Sequence, residues 1–179
     1  MRKLVGLVLA AGLLVPAAIY VGAPAGAAGG TSCSTGSGSA TFTPALPIIT
    51  SAVKVKDVLK SSGTVSGCTG TVKSGTLSGV APASTGSNCK SIATPTTTPT
   101  KITLTVKWNT GATSTVAAQL KEIPKTPVTT QTVSGSVTAG LFKGSTLSGK
   151  FTYTLPAGAC TKAPLAKLTY KNVGATVIK

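Results

Sequence analysis

Hydrophobic and polar residues alternate most regularly over residues 101–108. Four apolar side chains fall on one face of this segment, and three polar ones fall on the other. The apolar set is Ile102, Leu104, Val106 and Trp108, and the polar set is Thr103, Thr105 and Lys107. Alternation with a period of two is typical of a β-strand that buries one face, so this segment is predicted to be a half-buried strand.

The next residues predict a β-hairpin. Asn109, Thr110 and Gly111 can form a tight turn, because glycine and asparagine tolerate a positive φ. Alternation then resumes over residues 112–121, with Val116, Ala118 and Leu120 on one face.

Shorter alternating segments occur elsewhere, separated by Gly, Pro and Ser. They lie at residues 40–42 before Pro44, at 53–56, at 150–155 and at 166–171. Short strands spaced in this way predict an all-β, single-domain antiparallel sandwich or barrel, between which the sequence leaves the choice open. Helix is expected to be nearly absent, although residues 57–60 could form one helical turn that Ser61, Ser62 and Gly63 would end.

Two short motifs recur along the chain. The sequence Thr-Val-Ser-Gly occupies 64–67 and 132–135, and Thr-Leu-Ser-Gly occupies 76–79 and 146–149, with Cys89 and Cys160 following the two copies. This pattern predicts two duplicated β-units, such that residues 64–89 superpose on 132–160. Chance matching of Ser/Thr/Gly-rich turns is the alternative.

The first residues have the pattern of a secretory signal peptide. Arg2 and Lys3 precede an apolar run over residues 4–21, and Ala25-Gly26-Ala27 forms an A-x-A cleavage site. We therefore predict cleavage after residue 27 and a single β domain over 28–179. An uncleaved membrane anchor is the alternative, which Pro16 disfavours. No other apolar stretch has spanning length, so the mature protein is expected to be soluble and extracellular.

Charge is the second strong feature. The chain has 17 basic residues and only two acidic ones, Asp57 and Glu122, with no histidine. Removal of the signal peptide leaves lysine as the only basic residue type, and a protein so cationic attracts polyanions. The candidate contacts are Lys54, Lys56, Lys107, Lys150, Lys167 and Lys171. Their polar strand positions also suit an ordinary solvated face. Nucleic acid is disfavoured as a partner, because arginine is absent and aromatic residues are few.

The cysteines predict disulfide bonds. Cys33, Cys68, Cys89 and Cys160 are even in number and lack the C-x-x-C spacing of zinc and redox sites. In an exported chain they are expected to form two disulfides, for which the sequence allows three pairings.

Common catalytic chemistries find no support in the sequence. A serine nucleophile needs a base, and the chain has no histidine and no G-x-S-x-G motif. Asp57 and Glu122 each lie between lysines, which predicts two ionised surface carboxylates rather than a raised-pKa acid. We therefore predict a protein that is not an enzyme and that has no cofactor and no metal site.

Three further segments have two interpretations each. Residues 93–100 are rich in Thr and Pro and predict a loop, either a solvated linker or a site of O-linked sugar, with a smaller echo at 124–127. Trp108 is expected at the edge of the core, or else exposed for contact with a ligand. Phe142, in the sequence Gly-Leu-Phe-Lys-Gly, is interpreted as an exposed apolar tip of a turn and a second possible ligand contact.

A set of short motifs resembles a group of small secreted actinobacterial proteins without an assigned activity. The motifs are an early cysteine followed by Thr-Phe-Thr-Pro at 41–44, then residues 66–70, 108–111 and 140–144, and the late Cys160. The resemblance covers most of residues 28–179. It implies export and a β-rich fold, and it brings no functional residue.

Two functions agree with these observations. The first is a secreted, non-catalytic β-sandwich at the cell surface or wall that contacts anionic envelope polymers through its lysines. The second is a β-barrel carrier, or pore-like protein, for an apolar ligand or lipid. Salt should weaken binding in the first case and spare it in the second. The oligomeric state is left open.

Overall fold

A computed structural model describes residues 29–93, 98–123 and 130–179. The predicted signal peptide, residues 94–97 of the Thr/Pro-rich segment and the echo at 124–127 lie outside these residues. The described elements are nine strands and one short helix. They are β1 (Thr31–Leu46), β2 (Val58–Cys68), β3 (Ser74–Val80), α1 (Lys90–Ala93), β4 (Thr100–Trp108), β5 (Thr113–Glu122), β6 (Thr130–Gly140), β7 (Thr146–Thr154), β8 (Leu165–Asn172) and β9 (Thr176–Ile178).

The strands form a closed antiparallel barrel. Each of β1 to β7 pairs with the next strand in sequence, and β8 pairs with β1, which closes the barrel. The short strand β9 continues the line of β8, because it too lies between β1 and β7. Of the two architectures that the sequence left open, the structure therefore has the barrel, in an eight-stranded up-and-down arrangement.

The inner face holds most of the apolar side chains. The predicted strand at 101–108 is β4, and its Ile102, Leu104, Val106 and Trp108 are all buried. The predicted hairpin with β5 is also confirmed, and Gly111 in its turn has a φ of 85°. The outer face carries mainly Thr, Ser and Lys, so the pleat separates a dry interior from a polar wall.

Paired glycines make room for one large inward side chain. Gly38 of β1 faces Gly63 of β2. A Cβ atom at Gly38 would lie 2.6 Å from Cζ of Tyr170, and one at Gly63 would lie 2.7 Å from its hydroxyl. The Tyr170 ring therefore occupies space that side chains at these two positions would need.

Two disulfides crosslink the barrel. Cys33 bonds to Cys68, its direct cross-strand partner between β1 and β2. Cys89 bonds to Cys160 and ties the β3–β4 connection to the β7–β8 connection. This selects one of the three pairings, and no cysteine is free.

The two ends of the barrel differ in their connections. At one end, which we call the loop end, lie the long connections 47–57, 81–99 and 155–164. At the other, which we call the plugged end, lie the short connections 69–73, 109–112 and 141–145. The helix α1 belongs to the loop end.

Four local predictions were wrong. Residues 53–56 are not a strand, because Val55 forms only an isolated bridge with Ser87. Residues 58–60 begin β2 rather than a helical turn, since their pairing with β1 outweighs a weak local preference. β1 extends past Pro44 to Leu46. Ala166, which the alternation over 166–171 places on the apolar face with Leu168 and Tyr170, is exposed, because the β1–β8 register shifts between Leu165 and Lys167.

The predicted duplication is confirmed only for the order and direction of the strands. Both copies of the motifs lie on hairpins, β2–β3 and β6–β7, that run in the same directions and lead to a cysteine. Thr64 pairs with Thr76, whereas Thr132 pairs with Lys150 rather than with Thr146, the counterpart of Thr76. The motifs therefore lie at different heights, and residue-by-residue superposition fails.

Among the residues that the structure describes, no helix combines the length and the apolar character needed to cross a membrane.

Candidate functional site

A cavity of about 480 Å³ lies inside the barrel. Side chains from all nine described strands line it. The two from β9, Thr176 and Ile178, lie near the plugged end. The apolar lining includes Phe42, Leu59, Leu77, Leu104, Leu120, Val133, Phe151 and Leu168. Eight strands give an interior just wide enough to be filled by side chains or to hold one small ligand. Here it is not filled, because lining positions such as Ala40 and Ser61 hold small side chains.

Aromatic packing closes the plugged end. Trp108 and Phe142 meet edge to face, with ring centroids 5.7 Å apart. The Trp108 Nε1 donates to Ser114 Oγ at 2.8 Å, and that hydroxyl donates to the Leu141 carbonyl at 2.5 Å. Ser114 and Trp108 are buried. Each polar group in this series of hydrogen bonds at the bottom of the cavity has a partner.

The rim of the cavity lies at the loop end. All of its exposed lining residues are there, on the 81–99 connection and at the start of β4. They are Pro82, Ala83, Thr85, Thr100 and Lys101.

Asp57 is buried at this rim, so its predicted surface position was wrong. It is only 6% exposed, and Ser84 Oγ donates to its Oδ1 at 2.5 Å. The Asp57 backbone N–H donates to the same hydroxyl, and the Ser84 N–H donates to the Asp57 carbonyl. The pair joins the connection before β2 to the connection after β3. The lysines beside Asp57 in sequence gave no indication of this burial, which arises from packing between the two connections.

The other carboxylate of the chain lines the same cavity. Glu122 ends β5 and is half-buried, opposite Gln131 of β6. Its charge reaches Tyr153, whose pKa is raised mainly by burial and further by Glu122. Both acidic side chains of this cationic protein are therefore at one site, together with Lys101.

Two hydroxyl groups in the cavity wall have no hydrogen-bond partner in the described structure. They are Ser61 Oγ on β2 and Thr176 Oγ1 on β9, and both atoms are buried. Burying a hydroxyl without a partner costs free energy, and such groups commonly meet water or a ligand. The cavity therefore offers polar groups within an apolar wall.

Tyr170 adds a phenol to the wall. Its ring meets Phe151 edge to face at 5.8 Å, and its hydroxyl donates to the Ser62 carbonyl at 3.1 Å. Burial raises the pKa of Tyr170 to about 12, because the phenolate would lose hydration.

The six candidate lysines are all exposed, but the structure does not bring them together on one face. Lys150 on β7 and Lys171 on β8 are diagonal neighbours, because Lys171 faces Thr152. Lys167 lies further along β8. Lys107 is on β4, across the barrel, and Lys54 and Lys56 lie in the connection before β2.

The two aromatic candidates are buried at the plugged end. Trp108 is 3% exposed and lines the cavity, so its predicted core position is confirmed. Phe142 is 2% exposed, and the exposed-tip interpretation was wrong. With a φ of 64°, it turns its ring inward from the β6–β7 connection onto Trp108.

Sequence reasoning missed the cavity and its rim. The only available signal was the set of small residues at inward positions of β2 and β3. Ser and Gly are so common in this chain that these residues do not stand out in the sequence. In the described residues, no three His, Cys, Asp or Glu side chains come together in a way that could hold a metal ion.

The fold and the site together define a small, closed, up-and-down β-barrel with an internal cavity and two disulfides. No protein-family model matches the chain, and neither a curated protein nor a solved structure does. The resemblance to secreted actinobacterial proteins therefore stays a prediction.

Proposed function

We propose that the protein is a secreted, non-catalytic carrier that holds a small apolar ligand inside its barrel. The observation that carries this proposal is the cavity of about 480 Å³, lined mainly by aliphatic and aromatic side chains. Pockets that enclose small molecules have volumes of roughly 300–1,000 Å³ and are mostly apolar with a few polar groups. Export is supported by the two disulfides, which indicate an oxidising compartment.

The site favours holding over conversion. The Ser84 hydroxyl is held between Asp57 and the Val55 carbonyl, and it accepts a backbone N–H, which suits a structural link between two connections. The chain has no histidine that could serve as a general base.

Binding of a neutral apolar fluorescent dye tests the carrier function. We expect one dye molecule per barrel, binding that persists in high salt, and a change in the emission of Trp108, the single tryptophan of the chain. Ser61→Leu places a larger side chain in the cavity and should weaken binding at least about tenfold. Ser62→Leu, at the adjacent exposed position, is the matched control. Equal dye affinity in both variants would place the dye outside the barrel and contradict the proposal.

Contact with anionic polymers is a second candidate, supported by the arrangement of lysines on the outer wall. Thr132 lies between Lys121 and Lys150 across three strands, and Thr41 lies in the same way between Lys60 and Lys167. Adjacent strands are about 4.8 Å apart, so each pair presents two ammonium groups about 10 Å apart.

Binding to polyphosphate at increasing salt tests this second function. Replacement of Lys150 and Lys171 by Gln should weaken binding and flatten its salt dependence more than replacement of Lys107 and Lys54, which lie apart from each other. Equal effects of the two double variants would indicate attraction by net charge alone.

A further inference from the structure

The distribution of charge around the cavity indicates which ligand it takes. The chain has only two acidic side chains, and both line the cavity. Among the lysines of the described residues, Lys101 alone lines it. The cavity wall thus holds both acidic side chains of this cationic protein and, among the described residues, a single lysine.

Asp57 is the more buried of the two carboxylates. It is nearly fully buried, yet no lysine of the described residues forms a salt bridge with it, and its single side-chain hydrogen bond comes from Ser84 to Oδ1. Its Oδ2 makes no hydrogen bond within the described part of the chain. A buried carboxylate is unfavourable unless a cation or several donors compensate for its lost hydration. Lys101 does not compensate for this lost hydration, since its side chain lies on the outer face of β4 and is exposed.

We propose that the ligand is a cationic amphiphile, with an apolar body in the barrel and an ammonium group at Asp57. This inference rests on the carrier function proposed above. The apolar wall accommodates a hydrocarbon chain or ring, and Oδ2 of Asp57 accepts a charge-assisted hydrogen bond from the amine. Glu122 lines the same cavity. Ser61 and Thr176, whose hydroxyls have no partner in the described structure, line the wall deeper in the barrel.

Three ligands with the same hydrocarbon tail test the inference on the oxidised, unmodified protein. Dodecylamine, dodecanol and dodecanoate carry a positive, a neutral and a negative head group at neutral pH. Displacement of the neutral dye and Trp108 emission give their affinities. We expect dodecylamine to bind at least about tenfold more tightly than dodecanol, and dodecanoate to bind most weakly. Attraction by the net positive charge alone would produce the opposite order, so it cannot imitate this result.

Asp57→Asn then locates the contact. It keeps the shape of the side chain, and its Oδ1 can still accept from Ser84. It should reduce the ratio of the affinity for dodecylamine to that for dodecanol to about one. Thr105→Lys, on the exposed face of β4, raises the net charge by the same amount away from the cavity and is the matched control. If Asp57→Asn does not fold, the ligand series on the unmodified protein still decides.

The outcomes separate the two proposals. Tighter binding of dodecanol or dodecanoate than of dodecylamine would overturn the cationic ligand and leave the carrier in place. Equal loss of dodecylamine affinity in Asp57→Asn and Thr105→Lys would also overturn it. Failure of all three ligands to displace the dye or to alter Trp108 emission would overturn the carrier itself.

Discussion

The two ends of the barrel differ in how they close its interior. At the plugged end, short connections bring Phe142 onto Trp108, and the polar groups of that chain of contacts are all paired. At the loop end, long connections surround the mouth of a cavity whose wall holds the buried carboxylate of Asp57 and, on the nearby part of β2, the unpartnered hydroxyl of Ser61. The plugged end is packed as a core and contributes to stability. The loop end keeps polar groups without protein partners, which a ligand can contact, and it therefore suits binding.

Removal of each disulfide should test this division most strongly. The two bonds close loops with separations of 35 and 71 residues, so loss of either is expected to lower the free energy of unfolding by roughly 4 kcal/mol. Cys33→Ala with Cys68→Ala should change dye affinity only slightly, because Cys33 lines the cavity but its bond joins a strand pair away from the rim. Cys89→Ala with Cys160→Ala should also weaken dye binding, because it frees the rim. Denaturant unfolding and dye titration measure both effects, and equal binding losses would contradict the division.

Phe142→Ala tests the plugged end by itself. The ring is almost fully buried against Trp108, and its removal leaves a new cavity, so unfolding should become easier by about 3 kcal/mol. Phe42→Ala is the matched variant at the existing cavity. Its ring is half-buried beside space that is already empty, so we expect a loss of only about 1 kcal/mol. Similar losses for the two variants in denaturant unfolding would mean that the ends are packed alike.

Two inward serines allow the same substitution to be compared at both ends. Ser114→Ala removes the acceptor of Trp108 Nε1 and the donor to the Leu141 carbonyl, and it should cost about 2 kcal/mol and shift Trp108 emission. Ser61→Ala removes a hydroxyl that has no partner, and it should raise the free energy of unfolding by up to about 1 kcal/mol. Destabilisation by Ser61→Ala would show that this hydroxyl is satisfied in solution, for example by water.

The same contrast explains how much the sequence could predict. The pattern of β4 and β5 was clear, because nearly all of their inward positions hold apolar side chains. The inward positions of β2 and β3 include Ser61, Gly63 and Gly79, which look like turn residues in the sequence. Their role appears only when cross-strand partners are known, since Gly63 faces Gly38 and both make way for Tyr170.

The rim could not be predicted for a related reason. Asp57 lies among lysines in the sequence, and local charge alone favours a solvated carboxylate. Its burial depends on Ser84, a residue of another connection, and no local pattern links the two. The disulfide pairing was equally inaccessible, because Cys89 and Cys160 meet only through loops that the closed barrel brings together.

The raised pKa of Tyr170 affects the free energy of unfolding least of all near neutral pH. Its effect appears only in alkali. Its pKa rises from 10.0 to about 12 because burial disfavours the phenolate. The resulting stabilisation is fully present below pH 10, where the unfolded chain also keeps its proton. It is lost as the pH rises to about 12, because only the unfolded chain has then released the proton. Denaturant unfolding should therefore show a decline across this interval that is smaller in Tyr170→Phe. Tyr153, whose pKa is also raised, remains in that variant. A phenolate absorbance step near pH 10 in the folded protein would mean that water reaches the Tyr170 hydroxyl, and that the cavity wall at Gly38 and Gly63 is open to solvent.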